Sequence, residues 1–341
     1  MVTIYNGFNS QEKILHNTEK LNYFFNGSKT LIVTEFDLTN RCNNKCPQCI
    51  GTNQGDDELT YDEIKSIICD LKALGNEGII ISGGGEPLLH NKFIQTLYFI
   101  RQQGMKIGVN SNGLALTEEI AIAIAETCEY FRISLDAGTS SIYHYTHGMN
   151  EDCFKKVVAN LHLMASVKEN LKSNISFSTG FLTNLQTIDD MEAFIQVSKN
   201  AGVGAAQFRP FQDDTTNISE SYIRLKEKYE NENFKVLYSK QKYEEFNTIQ
   251  ERGYSKCRGM FFSTVITANA RMYACIHHRQ NPQYLICDIR NGESLIDMWN
   301  YKKWMVYHEI DVSKCPRLCR NDSFNKVLER LDENIPHKEF L

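Results

Sequence analysis

A chain of 341 residues, 42% apolar and 23% charged, has the make-up of a soluble globular protein of about two domains. Its formal charge of -5, without a Lys/Arg-rich run, leaves no electrostatic footprint for nucleic acid or an anionic membrane. No apolar stretch approaches the roughly 18 residues of a membrane span.

Met1 to Lys13 has no charged segment followed by an apolar one, so no signal peptide is expected and the expected location is the cytoplasm. In that reducing setting the eleven cysteines are expected to be ligands or free thiols. Residues 1–30 match no motif and are taken as an N-terminal extension. Strand-like runs follow at Thr30–Asp37, Gly78–Ser82, Lys106–Asn110, Tyr130–Leu135, Ile175–Gly180 and Gly204–Arg209. Helix-like stretches lie between them, at Tyr61–Leu74, Lys92–Gln103, Thr117–Cys128, Glu151–Lys168 and Thr187–Ala201. Thr60 with Asp62 and Glu63, and Thr117 with Glu118 and Glu119, read as helix N-termini.

This β-α alternation predicts a parallel sheet over a domain spanning 31–235. Six units are visible, fewer than the eight of a closed barrel, which leaves a partial barrel or a doubly wound sheet. The alternation is expected to stop after Ser221–Asn231. The domain 236–341 is irregular, with two strands, Phe262–Thr267 and Arg271–Ile276, around an Ala-Asn-Ala turn, and a short apolar segment at Leu295–Trp304. Cys69, Cys128 and Cys153 fall in helical segments and read as small buried hydrophobes.

The remaining cysteines carry the chemistry. Cys42, Cys46 and Cys49 follow the first strand directly, and Asn43, Asn44 and Pro47 between them favour a loop that lets three thiolates converge. A structural zinc site wants a fourth ligand, and no Cys or His is near in sequence. A redox dithiol would leave Cys42 without a role. A four-iron cube with three cysteine ligands keeps one iron open, and an open iron can bind a substrate through nitrogen and oxygen.

A C-x3-C-x2-C run after the first strand of a β-α series resembles the signature of the radical S-adenosylmethionine (SAM) superfamily. The resemblance implies that Cys42, Cys46 and Cys49 bind a [4Fe–4S] cluster whose open iron chelates the amine and carboxylate of SAM. In that family the residue before the third cysteine is usually aromatic and packs near the adenine; here it is Gln48, with Ile50 as an apolar substitute.

Ser82-Gly83-Gly84-Gly85-Glu86-Pro87 ends the second strand, where barrel-like folds gather ligands. It resembles the family's Gly-Gly-Glu element, which assigns Gly84, Gly85 and Glu86 to the SAM amino group. Ser111 and Asn112 end the third strand, and Ser134 and Asp136 the fourth. Such hydroxyl and amide groups suit the SAM ribose and methionine, or else turn and cap chemistry. Arg209 ends the sixth strand and suits the SAM carboxylate, a substrate anion or a structural ion pair.

Five cysteines follow residue 250: Cys257, Cys275, Cys287, Cys315 and Cys319. Cysteines before and after a hairpin, then a later pair, resemble the twitch module, a shortened SPASM domain. The resemblance assigns Cys257, Cys275, Cys315 and Cys319 to one auxiliary [4Fe–4S] cluster, with zinc as the competing occupant. A complete SPASM domain holds two clusters and needs more cysteines than these five. Cys287 is then spare, either a hydrogen-atom donor in catalysis or a core residue. His277 and His278 are further candidate ligands or substrate contacts.

The expected architecture is an α/β partial (βα)6 radical SAM barrel with a small C-terminal cysteine-rich twitch-like module containing a β-hairpin. The expected activity is cleavage of SAM to a 5′-deoxyadenosyl radical that takes a hydrogen atom from a small polar substrate, such as a sugar or aminocyclitol. Dehydrogenation or epimerisation would follow, with a flavodoxin or ferredoxin as reductant. Maturation of a ribosomal peptide is the second reading, although the first 30 residues are few for a peptide-clamping domain. A sugar or nucleoside decarboxylase, and a non-catalytic iron–sulfur carrier or sensor, complete the alternatives. Molybdopterin-precursor synthases share the layout but end in Gly-Gly, whereas this chain ends Lys338-Glu339-Phe340-Leu341.

Overall fold

In the computed structural model, residues 13–26, 30–49, 51, 55–240, 242–243, 252–317 and 319–337 are described, and strands alternate with helices through most of them. Helix α1 (Thr18–Phe25) precedes β1 (Val33–Asp37), α2 (Tyr61–Ala73) and β2 (Gly78–Ser82). Next come α3 (Phe93–Gln102), β3 (Lys106–Ser111), α4 (Glu118–Thr127), β4 (Tyr130–Ser134), α5 (Ser140–His147) and α6 (Glu151–Asn170). They lead to β5 (Ser176–Thr183), α7 (Met191–Asn200), β6 (Ala205–Pro210), α8 (Ser219–Tyr229) and β7 (Lys235–Tyr238). The C-terminal part supplies β8 (Ser263–Thr267), β9 (Arg271–Tyr273), β10 (Leu285–Asp288), α9 (Leu295–Glu309) and α10 (Asp322–Asp332).

One sheet runs β10-β9-β8-β1-β2-β3-β4-β5-β6-β7. From β1 to β7 every neighbour is parallel, giving the partial barrel. On the other side of β1, β8 pairs in parallel, and β9 and β10 follow antiparallel. The module's hairpin therefore extends the barrel's own sheet.

Local sequence explains these elements. Thr60 and Glu63 form a capping box at α2, with the Thr60 amide donating to Glu63 at 2.7 Å. Ile64, Ile67, Ile68 and Leu71 put one face of α2 against the sheet. Thr117, Thr139 and Asn150 cap α4, α5 and α6 in the same manner. Between sheet and helices, Phe131 stacks on Phe177 at 5.8 Å, and Phe181, Phe194 and Phe208 form an aromatic cluster. Alternate residues of the strands point the other way, into the barrel.

Several elements depart from the sequence reading. The sheet gains β7 and β10, each four residues long, too short to show a period-2 pattern. The alternation thus runs one strand past Asn231. Polar α5 lies only three residues before α6 and carries no clear apolar stripe. The segment Leu295–Trp304 is the front of a longer helix, α9. Cys128 is buried and Cys153 half-buried as read, but Cys69 is exposed, because α2 buries the opposite face. Residues 1–12, Ile50 and the tail 338–341 lie outside the described residues. Among the described residues no helix is long and apolar enough to cross a membrane.

The chain after β4 turns at Gly138, whose amide donates to the Asp190 carboxylate. A Cβ there would overlap the backbone of Ala193 and Phe194 at the start of α7. Backbone cannot swing aside as a side-chain tip can. Gly138→Ala should therefore cost about 1–3 kcal/mol, the usual range for overpacking. A urea midpoint equal to that of the parent chain would show that this contact is looser than described.

Candidate functional site

The long loop after β1 is closed at its base. The Asn40 amide donates to the Asp57 carbonyl at 2.8 Å, and the Leu59 amide to Leu38 at 3.0 Å. Cys42, Cys46 and Cys49 lie on this loop. It is pressed against the turn after β2: the Gly85 amide donates to Thr39 at 2.9 Å and the Glu86 amide to Arg41 at 2.8 Å. A Cβ at Gly84 would collide with the Asn40 side chain, and one at Gly85 with the Arg41 carbonyl. These glycines thus first admit the cysteine loop. Gly83 and Gly85 border the cavity described below; Gly84 does not.

Glu86 is buried and braces two strand ends. Its Oε1 accepts from Ser111 Oγ at 2.7 Å and from the Leu88 amide at 3.1 Å, and its Oε2 accepts from the Asn112 amide at 2.7 Å. Burial pushes its carboxyl up; the bonds from Ser111, Asn112 and Leu88 oppose that. Three of about four acceptor positions are filled, so one remains for a cation. The Asn112 side chain donates to Asn43 Oδ1 at 2.7 Å, tying the third strand's end to the cysteine loop.

Sequence reasoning missed His147. Helix α5 ends on the cysteine loop, where the Lys45 amide donates to the His147 carbonyl at 3.1 Å. His147 Nε2 lies 3.0 Å from the Leu135 carbonyl, while Nδ1 lies 3.3 Å from Cys46 Sγ and 3.3 Å from Asn44 Nδ2. Desolvation lowers its pKa, which favours a neutral ring that donates from Nε2 to Leu135. Burial pushes the Cys46 thiol up to about 12, with Cys49 and Cys42 adding to the effect. A cationic metal centre would reverse that tendency.

The strand ends enclose a cavity of about 450 Å³. Cys42, Cys46 and Cys49 border it together with Glu86, Ser111 and Asn112. Ser134, Asp136 and Arg209 close the far side, and Gln48 also reaches it. Asp136, at φ 48° in the left-handed region, has a buried Oδ1 without a hydrogen-bond partner. Arg132, which no motif signalled, also borders the cavity, and its Nε and that of Arg209 are buried without a hydrogen-bond partner. Its inward position was legible as the polar member of the alternating run Phe131-Arg132-Ile133-Ser134.

The C-terminal module supplies the facing wall, with His277, Pro316, Arg317 and Cys319. Behind it Cys257, Cys275, Cys315 and Cys319 surround a second, smaller cavity with His278. Cys319 and His277 border both. Burial pushes Cys275 up to about 12 and Cys315 to about 11, and neighbouring thiols add to each. Asn325 Nδ2 donates to Cys257 Sγ at 3.5 Å, and His278 Nε2 lies 3.3 Å from Cys315 Sγ. Cys287 is elsewhere. It is fully buried in β10, its Sγ 3.8 Å from the Glu293 carbonyl, and borders neither cavity. Of its two readings, hydrogen-atom donor or core residue, this placement favours the second, and it follows from hairpin pairing that spacing does not reveal.

Residues 36–196 match the family model described as the radical SAM superfamily. The Fe-coproporphyrin III synthase of Methanosarcina barkeri is 28% identical over 169 residues, 48% of this chain and 40% of that protein. The chain spans less than half the length of the first curated relatives it matches. The structure of Streptococcus suis SuiB bound to precursor peptide SuiA superposes with a TM-score of 0.63 at 15% identity, over 86% of this chain and 71% of that one. Native anSMEcpe with bound AdoMet gives 0.59 at 15% identity, over 86% and 88%. The likeness is one of fold.

Glu86→Ala would strip buried donors of Ser111 and Asn112 of their acceptor. Each orphaned group costs about 1–3 kcal/mol. The cluster-free protein should lose stability by that order in denaturant unfolding, and its loaded form should bind SAM more weakly. Unchanged stability and affinity would remove Glu86 from both roles.

Proposed function

We propose, from the premise that residues 36–196 are a radical SAM domain, that Cys42, Cys46 and Cys49 hold its [4Fe–4S] cluster. The adjoining cavity would receive SAM and a small polar substrate, and Cys257, Cys275, Cys315 and Cys319 would hold an auxiliary [4Fe–4S] cluster. One observation carries this reading. The first cysteine set borders the cavity on one side, and Cys319 with His277 borders it on the other.

The donor sets fit such groups. Cys257, Cys275, Cys315 and Cys319 surround one cavity, and Cys42, Cys46 and Cys49 border another, which suits four thiolates and three thiolates around four-iron cubes. Asp136 and Arg209 border the main cavity, and each has a buried atom, Oδ1 and Nε, without a hydrogen-bond partner. The free thiols suit a reducing, cytoplasmic setting with a flavodoxin or ferredoxin as electron source.

Bound and reduced, the first cluster supplies the electron that cleaves SAM to methionine and a 5′-deoxyadenosyl radical. The chain's residues orient the reactants. Glu86 keeps one acceptor position for the SAM ammonium. Ser134 and Asp136 face the cavity for the ribose or methionine. Ser111 and Asn112 act mainly by holding Glu86 and the cysteine loop. The module's wall keeps water from the reacting atoms.

A substrate in this space lies beside the auxiliary cysteines, which favours its oxidation. Epimerisation by Cys287 loses its support, because that thiol faces another part of the core. A cavity of about 450 Å³ is of small-ligand size, which favours a small molecule over a peptide. A plain electron carrier would leave the cavity and Glu86 without purpose.

Chain purified and loaded without oxygen should carry about eight irons, and the triple Cys42, Cys46 and Cys49→Ala variant about four. Zinc bound at the second cysteine set would contradict the auxiliary assignment. Cys287→Ala should leave substrate conversion unchanged. Intact SAM cleavage with product lost in that variant would restore the epimerase reading.

A further inference from the structure

We infer that Arg132 and Arg209 form an anion site on the floor of the main cavity, and that it takes a carboxylate or phosphate group of the substrate. This inference rests on the function proposed above and names its substrate class.

Arg132 on β4 and Arg209 on β6 flank Gly180 of the intervening strand β5. A Cβ at Gly180 would lie 3.4 Å from Arg209 Nη2 and 3.8 Å from Arg132 Cδ. The missing side chain gives the two guanidinium groups room to lie side by side. Arg132 is two residues before Ser134, so it enters roughly 6–7 Å deeper in the barrel. The Nε atoms of both are buried and have no hydrogen-bond partner. Both residues border the cavity, and among the described residues neither guanidinium group has a hydrogen bond or ion pair, so two unpaired cations beside one cavity point to an anionic ligand.

Electrostatics agree. Burial and the neighbouring Arg209 together push Arg132 down to about 9, so the pair is a crowded like-charge site. The carboxylate facing it, Asp136, is pushed up by burial, while His147, Arg209 and Arg132 work against that. Glu35 also acts on Arg132, but it is already paired with Arg279 and Arg320. Arg317 and Lys242 border the same cavity. Asp213 and Asp214 also border it, on the loop after β6, but Asp214 Oδ1 already accepts from the Thr216 amide at 2.8 Å. An anion bound between Arg132 and Arg209 would pair with both guanidinium groups and relieve their repulsion.

SAM has a carboxylate of its own, but its place is at the cysteine loop over β1. Arg132 and Arg209 enter from β4 and β6, neither of which pairs with β1. The anion is assigned to the substrate on that ground, and competition with SAM tests the assignment. An acidic or phosphorylated small molecule fits this floor, and a polyamine such as an aminocyclitol does not.

The test uses the full chain, loaded anaerobically with both clusters, and inorganic phosphate as probe in calorimetry with SAM present and absent. Phosphate should bind in both cases without shifting the SAM affinity. Arg132→Gln and Arg209→Gln should each weaken phosphate at least about tenfold while iron content and SAM affinity hold. Arg209→Lys, which keeps the charge, should recover part of the loss and guards against misfolding of the Gln variants. No phosphate binding to the parent chain, or equal binding in the variants, overturns the anion site. Competition between phosphate and SAM, or loss of SAM affinity in the variants, gives the pair to the SAM carboxylate and overturns the substrate assignment. A parent chain that binds phosphate but no SAM would sink the proposed function and leave the anion site standing.

Discussion

Two buried carboxylates on the first strand hold the two halves of the site in register. Glu35 and Asp37 point into the barrel, and both receive Arg279 of the module at 3.3 Å. Arg320, next to Cys319, reaches Glu35 as well. Burial pushes Asp37 up to about 6, and the Arg279 charge works against that. Breaking such a buried pair by removing one partner costs about 3–5 kcal/mol, because the other charge stays behind. The same strand pairs with β8 of the module on one edge and β2 of the barrel on the other. The position of Cys319 relative to the Cys42–Cys49 loop is therefore fixed by strand pairing and charge together.

The cavity follows from that constraint. Its upper rim is the cysteine loop, which approaches the β2 turn so closely that only glycine fits at 84 and 85. Its near wall is stiffened by Glu86, which joins the ends of β2 and β3. Its floor is polar, because the inward positions of β4 and β6 carry Arg132 and Arg209. A radical reaction needs close placement of reacting atoms and exclusion of solvent. Rigid strand ends with short bracing bonds would serve the placement that the proposed reaction needs. His147 adds a contact from α5 to Cys46, outside the ligand set itself.

Much of this was legible in the sequence, and the remainder was hidden for identifiable reasons. The Cys42–Cys49 spacing, the Gly83–Glu86 turn and the capped helices are local signals, and local signals survive without a fold. Cys257, Cys275, Cys315 and Cys319 were grouped by family pattern and do surround one cavity. The place of Cys287 was not legible, because its surroundings depend on how β10 pairs with β9. His147 was invisible because its contact with Cys46 spans 101 positions and its helix has no strong apolar face. Gly84 and Ser111 also have places within the protein that the motif did not reveal: a Cβ at 84 would meet the Asn40 side chain, and Ser111 Oγ donates to Glu86.

The central claim is that two clusters of different ligation face one cavity, with an open iron only at the Cys42–Cys49 loop. Electron paramagnetic resonance of the reduced, fully loaded chain tests it most directly. Adding SAM should change the signal of one cluster, through coordination at its open iron, and leave the signal of the other in place. A spectrum in which neither cluster responds to SAM, or in which only one cluster is present at full loading, would contradict the account.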